Sequence, residues 1–335
     1  MWKVSNDINK SYLDIFEDSV IIPIFDIIIE FRYKIEKGII LTSCEKDVWK
    51  KTDSFCKKDK RSRDLLEYIL QKKFKNESIE DIIFNIVITL KKSEIDDYIN
   101  LYLYQNREVG KGNYSLIKKE VSPYFKKLFT KFYYSEFFID DTIWFMLTGG
   151  NYKRKSFHQN FKLENDLYVC PYCDIDTTVS TYNNNVEHFL PKSKFPFLAM
   201  NPYNLISSCI ACNLPQEGKG ESTIIPVITP YNAQISQAFS FNVDFSDEII
   251  YVEKNGDKEK DNFIDLLNLT ERYADPIVYK SLDKKAASLF SSISNYANAS
   301  YKEIERYLSE REKTENLILA LRSVITKYPD YKRYL

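Results

Sequence analysis

The chain has 335 residues, 44% of them hydrophobic and 28% charged, with a formal net charge of −1. That length supports one to three domains with buried cores, and the composition is that of an ordinary soluble globular protein. A charge near zero excludes a global basic field, so any nucleic-acid binding rests on local patches or on a partner.

The N-terminus, MWKVSNDINK, has no basic stretch followed by an apolar core, so no signal peptide is expected. The most apolar run, Val20 to Ile29, is interrupted by Pro23 and Asp26 and is too short to span a bilayer. It reads as a helix kinked at Pro23. Arg63 to Phe74 places Leu65, Leu66, Tyr68, Ile69 and Leu70 at helical spacing. Ser78-Ile-Glu-Asp81 is a capping signal ahead of IIFNIVITLKK, and a further helix covers Ser93 to Tyr104. Asn106 to Asn113, with Gly110 and Gly112, is a loop. Helices follow over Tyr114–Leu128, with a restart near Pro123, and over Ser135–Leu147, stopped by Gly149 and Gly150. The many aromatics of this region read first as core packing.

Tyr152 to Lys162 (YKRKSFHQNFK) is a short basic and aromatic run. It is either a solvated loop or, through Lys153, Arg154 and Lys155, a set of phosphate contacts. His158 reads as a surface or satisfied histidine. Six cysteines are present, and four of them form two C-x-x-C pairs, Cys170/Cys173 and Cys209/Cys212. Two such pairs a few tens of residues apart are the usual ligand set of a closed structural zinc site. Cys44 and Cys56 are left over and could pair, but with no other sign of secretion they read first as free thiols of a reducing, cytoplasmic protein. Beyond the second pair, Phe239–Asp244 and Glu248–Glu253 read as a strand pair, followed by an Asn255-Gly256-Asp257 turn. Asn262–Asn268, Asp283–Ala297 and a last helix opened by the capping box Ser300-Tyr-Lys-Glu303 and running to about Lys327 complete the chain.

Between the cysteine pairs lies Glu187-His188, then Asn204, and Asn213 follows the last cysteine. In VCPYC, VEHFLPKSKFP and NPYNLISSCIACN the sequence resembles the zinc-bound branch of the HNH endonucleases, over roughly residues 165–225. The wording is most similar to the small HNH nucleases paired with an ATPase in Septu-type anti-phage systems. The resemblance implies a ββα-metal hairpin and helix, with structural Zn²⁺ on the four cysteines. It implies Glu187 and Asn213 as ligands of a catalytic Mg²⁺ or Mn²⁺, His188 as general base, and Asn204 as the residue orienting the loop or the imidazole. Relatives often carry Asp where Glu187 stands, and Lys where Gln216 stands. The nearest lysine there is Lys219, in a Gly-Lys-Gly context, and Lys192 and Lys194 are further candidates for the phosphate contact.

The resulting expectation is a mainly α protein in three parts. Residues 1–150 form a helical domain, 151–225 a zinc-stapled ββα-metal nuclease module, and 226–335 a β-hairpin with helices. Its activity would be one-metal hydrolysis of nucleic-acid phosphodiesters, DNA before RNA or tRNA, as a defence effector. With no Walker A lysine motif in the chain, an ATPase partner would be a separate protein. The competing expectation is a zinc-stabilised binding or adaptor subunit without catalysis.

Overall fold

The computed structural model describes residues 1–38, 46–74, 76–150, 152–180, 184–293 and 301–327. Cys44, the end of the helix expected at Ala297 and the cap expected at Ser300 lie outside them. The described residues are mostly helical, with three two-stranded sheets. None of their helices is long and apolar enough to cross a membrane. The chain divides into two compact units, one of residues 6–157 and 188–205, the other of 1–5, 158–187 and 206–335.

In the first unit, helices Asp7–Phe16 and Ile22–Glu36 are joined by a π-helical turn, Glu17–Ile21. Pro23 thus stands just past the π-turn, inside a run that stays helical from Asp7 to Glu36, and its missing N–H falls where the helical spacing has just widened. Ser78 and Asp81 form the expected capping box, Asp81 N donating to Ser78 Oγ at 3.2 Å and Ser78 N to Asp81 Oδ2 at 2.9 Å.

Residues 114–122 are not helical, in contrast to the pattern reading. Ser122 is held extended (φ −46°, ψ 136°) ahead of Pro123, as the steric conflict between a proline ring and its predecessor requires. From Pro123 one turn of α-helix widens into a π-helix, Leu128–Glu136. Ser135 Oγ donates to the Thr130 carbonyl five residues back at 3.0 Å, within this wider spacing. Asp140 then caps a separate helix, Asp141–Thr148, which ends on Gly149 at φ 73°. Phe25, Tyr102, Phe125, Phe129 and Phe197 pack ring on ring, which anchors the 188–205 segment in this core.

In the second unit, Phe239–Asp244 pairs antiparallel with Ile249–Lys254, from Phe239 opposite Lys254 to Asp244 opposite Ile249. The buried face of the first strand is Phe239, Phe241 and Val243, every second residue, as a half-buried strand requires. The last helix is not continuous. Tyr301–Ser309 and Ile318–Lys327 are separated by a turn in which Lys313 and Leu317 take positive φ. Local propensity favours helix through this stretch, but tertiary bonds to the cysteine-bearing loop override it. Leu317 N donates to Asp174 O at 2.7 Å, Asn316 Nδ2 to Ile175 O at 2.6 Å, and Tyr168 N to Lys313 O at 2.7 Å.

Glu30 offers a pH test of the first unit. Burial opposes its charge, but the amides of Ser54 and Asp53 and the Lys34 ammonium outweigh that and hold its carboxyl down to about 2. An acid depressed in the folded state contributes stability above its unfolded pKa and loses it as pH falls. Glu30→Gln should therefore cost about 1 kcal/mol at neutral pH. In acid denaturant titrations, the gap to wild type should close between the ordinary glutamate range and pH 2.

Candidate metal centre and the polar sites of the motif

Cys170 and Cys173 lie on a tight loop whose base is the isolated bridge between Val169 and Thr177. Cys170 N donates to Asp176 O, and Asp174, at φ 61°, returns a bond to Cys170 O. Cys209 ends the strand Leu205–Cys209, and Cys212 sits in the single helical turn Ile210–Asn213. The four buried Sγ atoms lie within 4.8 Å of one another. Cys170 to Cys212 is 3.8 Å and Cys173 to Cys209 is 3.9 Å. Neither is a disulfide, which needs sulfurs about 2 Å apart. A tetrahedral zinc with Zn–S near 2.3 Å would set sulfurs about 3.8 Å apart. The donor set thus fits zinc in both number and spacing.

Within the cluster the four thiols shift one another's titration in opposite directions. Burial opposes ionisation of Cys170 and Cys173, yet hydrogen bonds within the cluster hold both below the usual thiol range. Interaction with Cys170 and burial push Cys209 up, and burial first, then interaction with Cys170, pushes Cys212 up. Four thiolates this close need a cation to exist together. Arg272, on helix Leu269–Tyr273, donates Nη1 to Cys212 Sγ at 2.9 Å and Nη2 to Asp176 Oδ2 at 3.2 Å. Tyr273 Oη donates to Cys173 O at 2.7 Å. On the same loop Asp174 accepts from Trp2 Nε1 at 2.8 Å and from Leu319 N at 3.1 Å, while burial drives it up to about 7.

The same single turn that carries Cys212 brings Asn213 to Glu187. The Asn213 carboxamide abuts the Glu187 carboxylate and the Asn185 amide. With its nitrogen toward Glu187 it donates to that carboxylate, and its oxygen accepts from Asn185 Nδ2 at 3.2 Å. Turned over, it presents an oxygen beside two carboxylate oxygens, a donor set suited to a hard cation. Lys219 is the third member of this cluster. Its side chain is fully buried, and its Nζ is 2.6 Å from Glu187 Oε1.

His188, the next residue on the strand Asn184–His188, keeps different company. It is buried, and its Nε2 is 3.1 Å from the Ala199 carbonyl. A carbonyl only accepts, so Nε2 carries the proton and Nδ1 is the basic nitrogen of the neutral ring. Asn204 fixes the intervening loop. Its Oδ1 accepts from Leu190 N at 2.7 Å, and its Nδ2 donates to Leu190 O and Leu198 O at 3.0 and 3.1 Å. Asn204 thereby sets the carbonyl that orients the imidazole.

The His188 ring packs edge-on against Tyr134, centroids 4.4 Å apart. Arg154 and Lys192 each place their charge 4.9 Å from the centre of that Tyr134 ring. One tyrosine thus gathers His188 with two of the basic residues expected to meet phosphate. Arg154 opens a helix, Arg154–Asn165, where a loop was one expectation, and Lys153 pairs with Asp141 at 2.7 Å. Lys155 is exposed, Lys192 and Lys194 are half-buried, and His158 is satisfied internally by Ser207 Oγ at 2.7 Å. Cys56 is an exposed free thiol. Tyr134, Arg272, Trp2 and Asn185 carry no sequence signal of their own, since each is placed by tertiary structure.

No family model matches the chain, and no solved structure matches it. Among curated proteins it is similar to Septu protein PtuB of Bacillus thuringiensis, 34% identical over 86 residues, 26% of this chain and 33% of that protein. It is also similar to Protein ea31 of Escherichia phage lambda, 39% identical over 51 residues, 15% of this chain and 16% of that one. The matches therefore span about a third and about a sixth of these relatives' length.

The metal centre makes a direct prediction. Purified protein should contain about one zinc per chain, and Cys173→Ser or Cys209→Ser should lose it together with cooperative unfolding. Arg272→Met should keep the fold but weaken zinc retention about 10- to 100-fold in competition with a chromophoric chelator. A zinc-free preparation of wild-type stability would refute the assignment.

Proposed function

We propose that this chain is an HNH-type endonuclease built on a ββα-metal hairpin and helix, acting as the nuclease effector of a Septu-related anti-phage system. The observation that carries the reading is the meeting of Asn213, from the second cysteine pair, with Glu187, the acid of the Glu-His step. A bare zinc ribbon has no need to bring those two side chains together. The similarity to Septu protein PtuB supports the defence setting.

In this reading His188 Nδ1 takes a proton from the attacking water while its Nε2–H stays on the Ala199 carbonyl. That carbonyl also stabilises the imidazolium that results. Glu187 and Asn213 would hold a Mg²⁺ or Mn²⁺, whose contribution is to neutralise charge building on the phosphate and the leaving 3′ oxygen. Arg154 and Lys192 would hold backbone phosphates, joined by Lys153, Lys155 and Lys194. DNA is the first substrate, RNA or tRNA the second, and an ATPase chain the partner. The competing reading, a zinc-stabilised binding subunit, is favoured by one observation: Glu187 already has a cation in Lys219.

Substitution of His188 separates the two. His188→Ala should lower cleavage at least about 100-fold, with zinc content and nucleic-acid binding close to wild type. Assays on DNA, single-stranded RNA and tRNA, with the candidate ATPase added, should show this. Cleavage by His188→Ala at the wild-type rate would hand the assignment to the binding subunit.

A further inference from the structure

Only eight glycines occur in the whole chain, and two of them flank Lys219. Neither could carry a side chain. A Cβ on Gly218 would lie 2.4 Å from the Cys212 carbonyl oxygen and 2.5 Å from that of Ala211. Gly220 has φ +50°, and a Cβ there would lie 2.8 Å from Pro215 Cα. Between them Lys219 N donates to Cys212 O at 2.9 Å, and Gly218 N to Leu214 O at 2.8 Å. The loop is thus pressed against the turn that bears Cys212 and Asn213, and it drives the lysine inward. The Lys219 Nζ donates to Gly220 O at 3.0 Å and pairs with Glu187 Oε1 at 2.6 Å.

An ammonium and a divalent cation cannot share one carboxylate oxygen at such range, because they repel each other where little water screens them. Resting on the reading of Glu187 and Asn213 as metal ligands, we propose that Lys219 is the resident cation of Glu187. A hard divalent cation then reaches the site only by displacing that ammonium. The resting Glu187–Lys219 pair is neutral, and exchange adds positive charge that a phosphodiester anion offsets. Cation and nucleic acid accordingly bind as linked ligands, each tightening the other. The residue that holds the site closed also keeps it selective for a cation that arrives with substrate.

The test is Mn²⁺ binding to zinc-loaded, full-length protein, read by calorimetry and by the electron paramagnetic resonance of free Mn²⁺. Lys219→Met should bind Mn²⁺ at least about tenfold more tightly than wild type, because the competing charge is gone. The double variant Glu187→Gln, Lys219→Met should lose that site. Equal affinity in wild type and Lys219→Met would overturn the exchange while leaving the metal reading intact. Absence of Mn²⁺ binding in both would overturn the metal reading and the exchange with it. Should Lys219→Met fail to fold, wild-type protein suffices. Pulse acylation with acetic anhydride, read by peptide mass spectrometry, should modify Lys219 several-fold faster once Mn²⁺ is bound. An unchanged rate at saturating Mn²⁺ would overturn the proposal.

Discussion

Four thiols brought within bonding distance of one metal ion are an unstable arrangement until that ion is present, and the rest of the second unit is built against them. Burial and mutual repulsion oppose four charges, and one divalent cation reverses both effects. The loop of Cys170 and Cys173 has too few residues for a core of its own. What it offers instead are anchor points. Trp2 bonds Asp174, Arg272 bonds Cys212 and Asp176, Tyr273 bonds Cys173, and the turn at residues 310–317 bonds Asp174 and Ile175. Residues from both ends of the described chain thus converge on one small loop.

Much of the candidate site was legible in the sequence because its residue types are chemically committed. Cysteine pairs at two-residue spacing have few uses, and Glu187, His188 and Asn213 fall in register with them. The pairing of Phe239–Asp244 and the capping box at Ser78 were legible for a similar reason, since alternation and capping act locally. What could not be read is what non-local contacts decide. The π-helix Leu128–Glu136 falls largely where the sequence pattern leaves a gap between two helices, yet it contains Tyr134, one of 25 tyrosines, on which His188, Arg154 and Lys192 converge. The break before Ile318 was hidden because leucine-rich, charged sequence favours helix, and only bonds to the cysteine loop forbid it. Lys219 was visible as a lysine beside the motif, but its burial depends on two glycines packed against the Cys212 turn.

Glu187 and His188 are consecutive in the chain, yet each has its own set of neighbours. Glu187 finds an ammonium and a carboxamide, partners that compensate negative charge. His188 finds a carbonyl and an aromatic ring edge-on, and the carbonyl sets the tautomer. In the proposed nuclease this dipeptide would carry two functions with separate supporting residues. Handling of a cation would depend on Asn213 and Lys219, and handling of a proton on Asn204, through the loop to Ala199, and on Tyr134. Replacement of one supporting residue should disturb one function and spare the other, a separation that a site built around a single shared network would not permit.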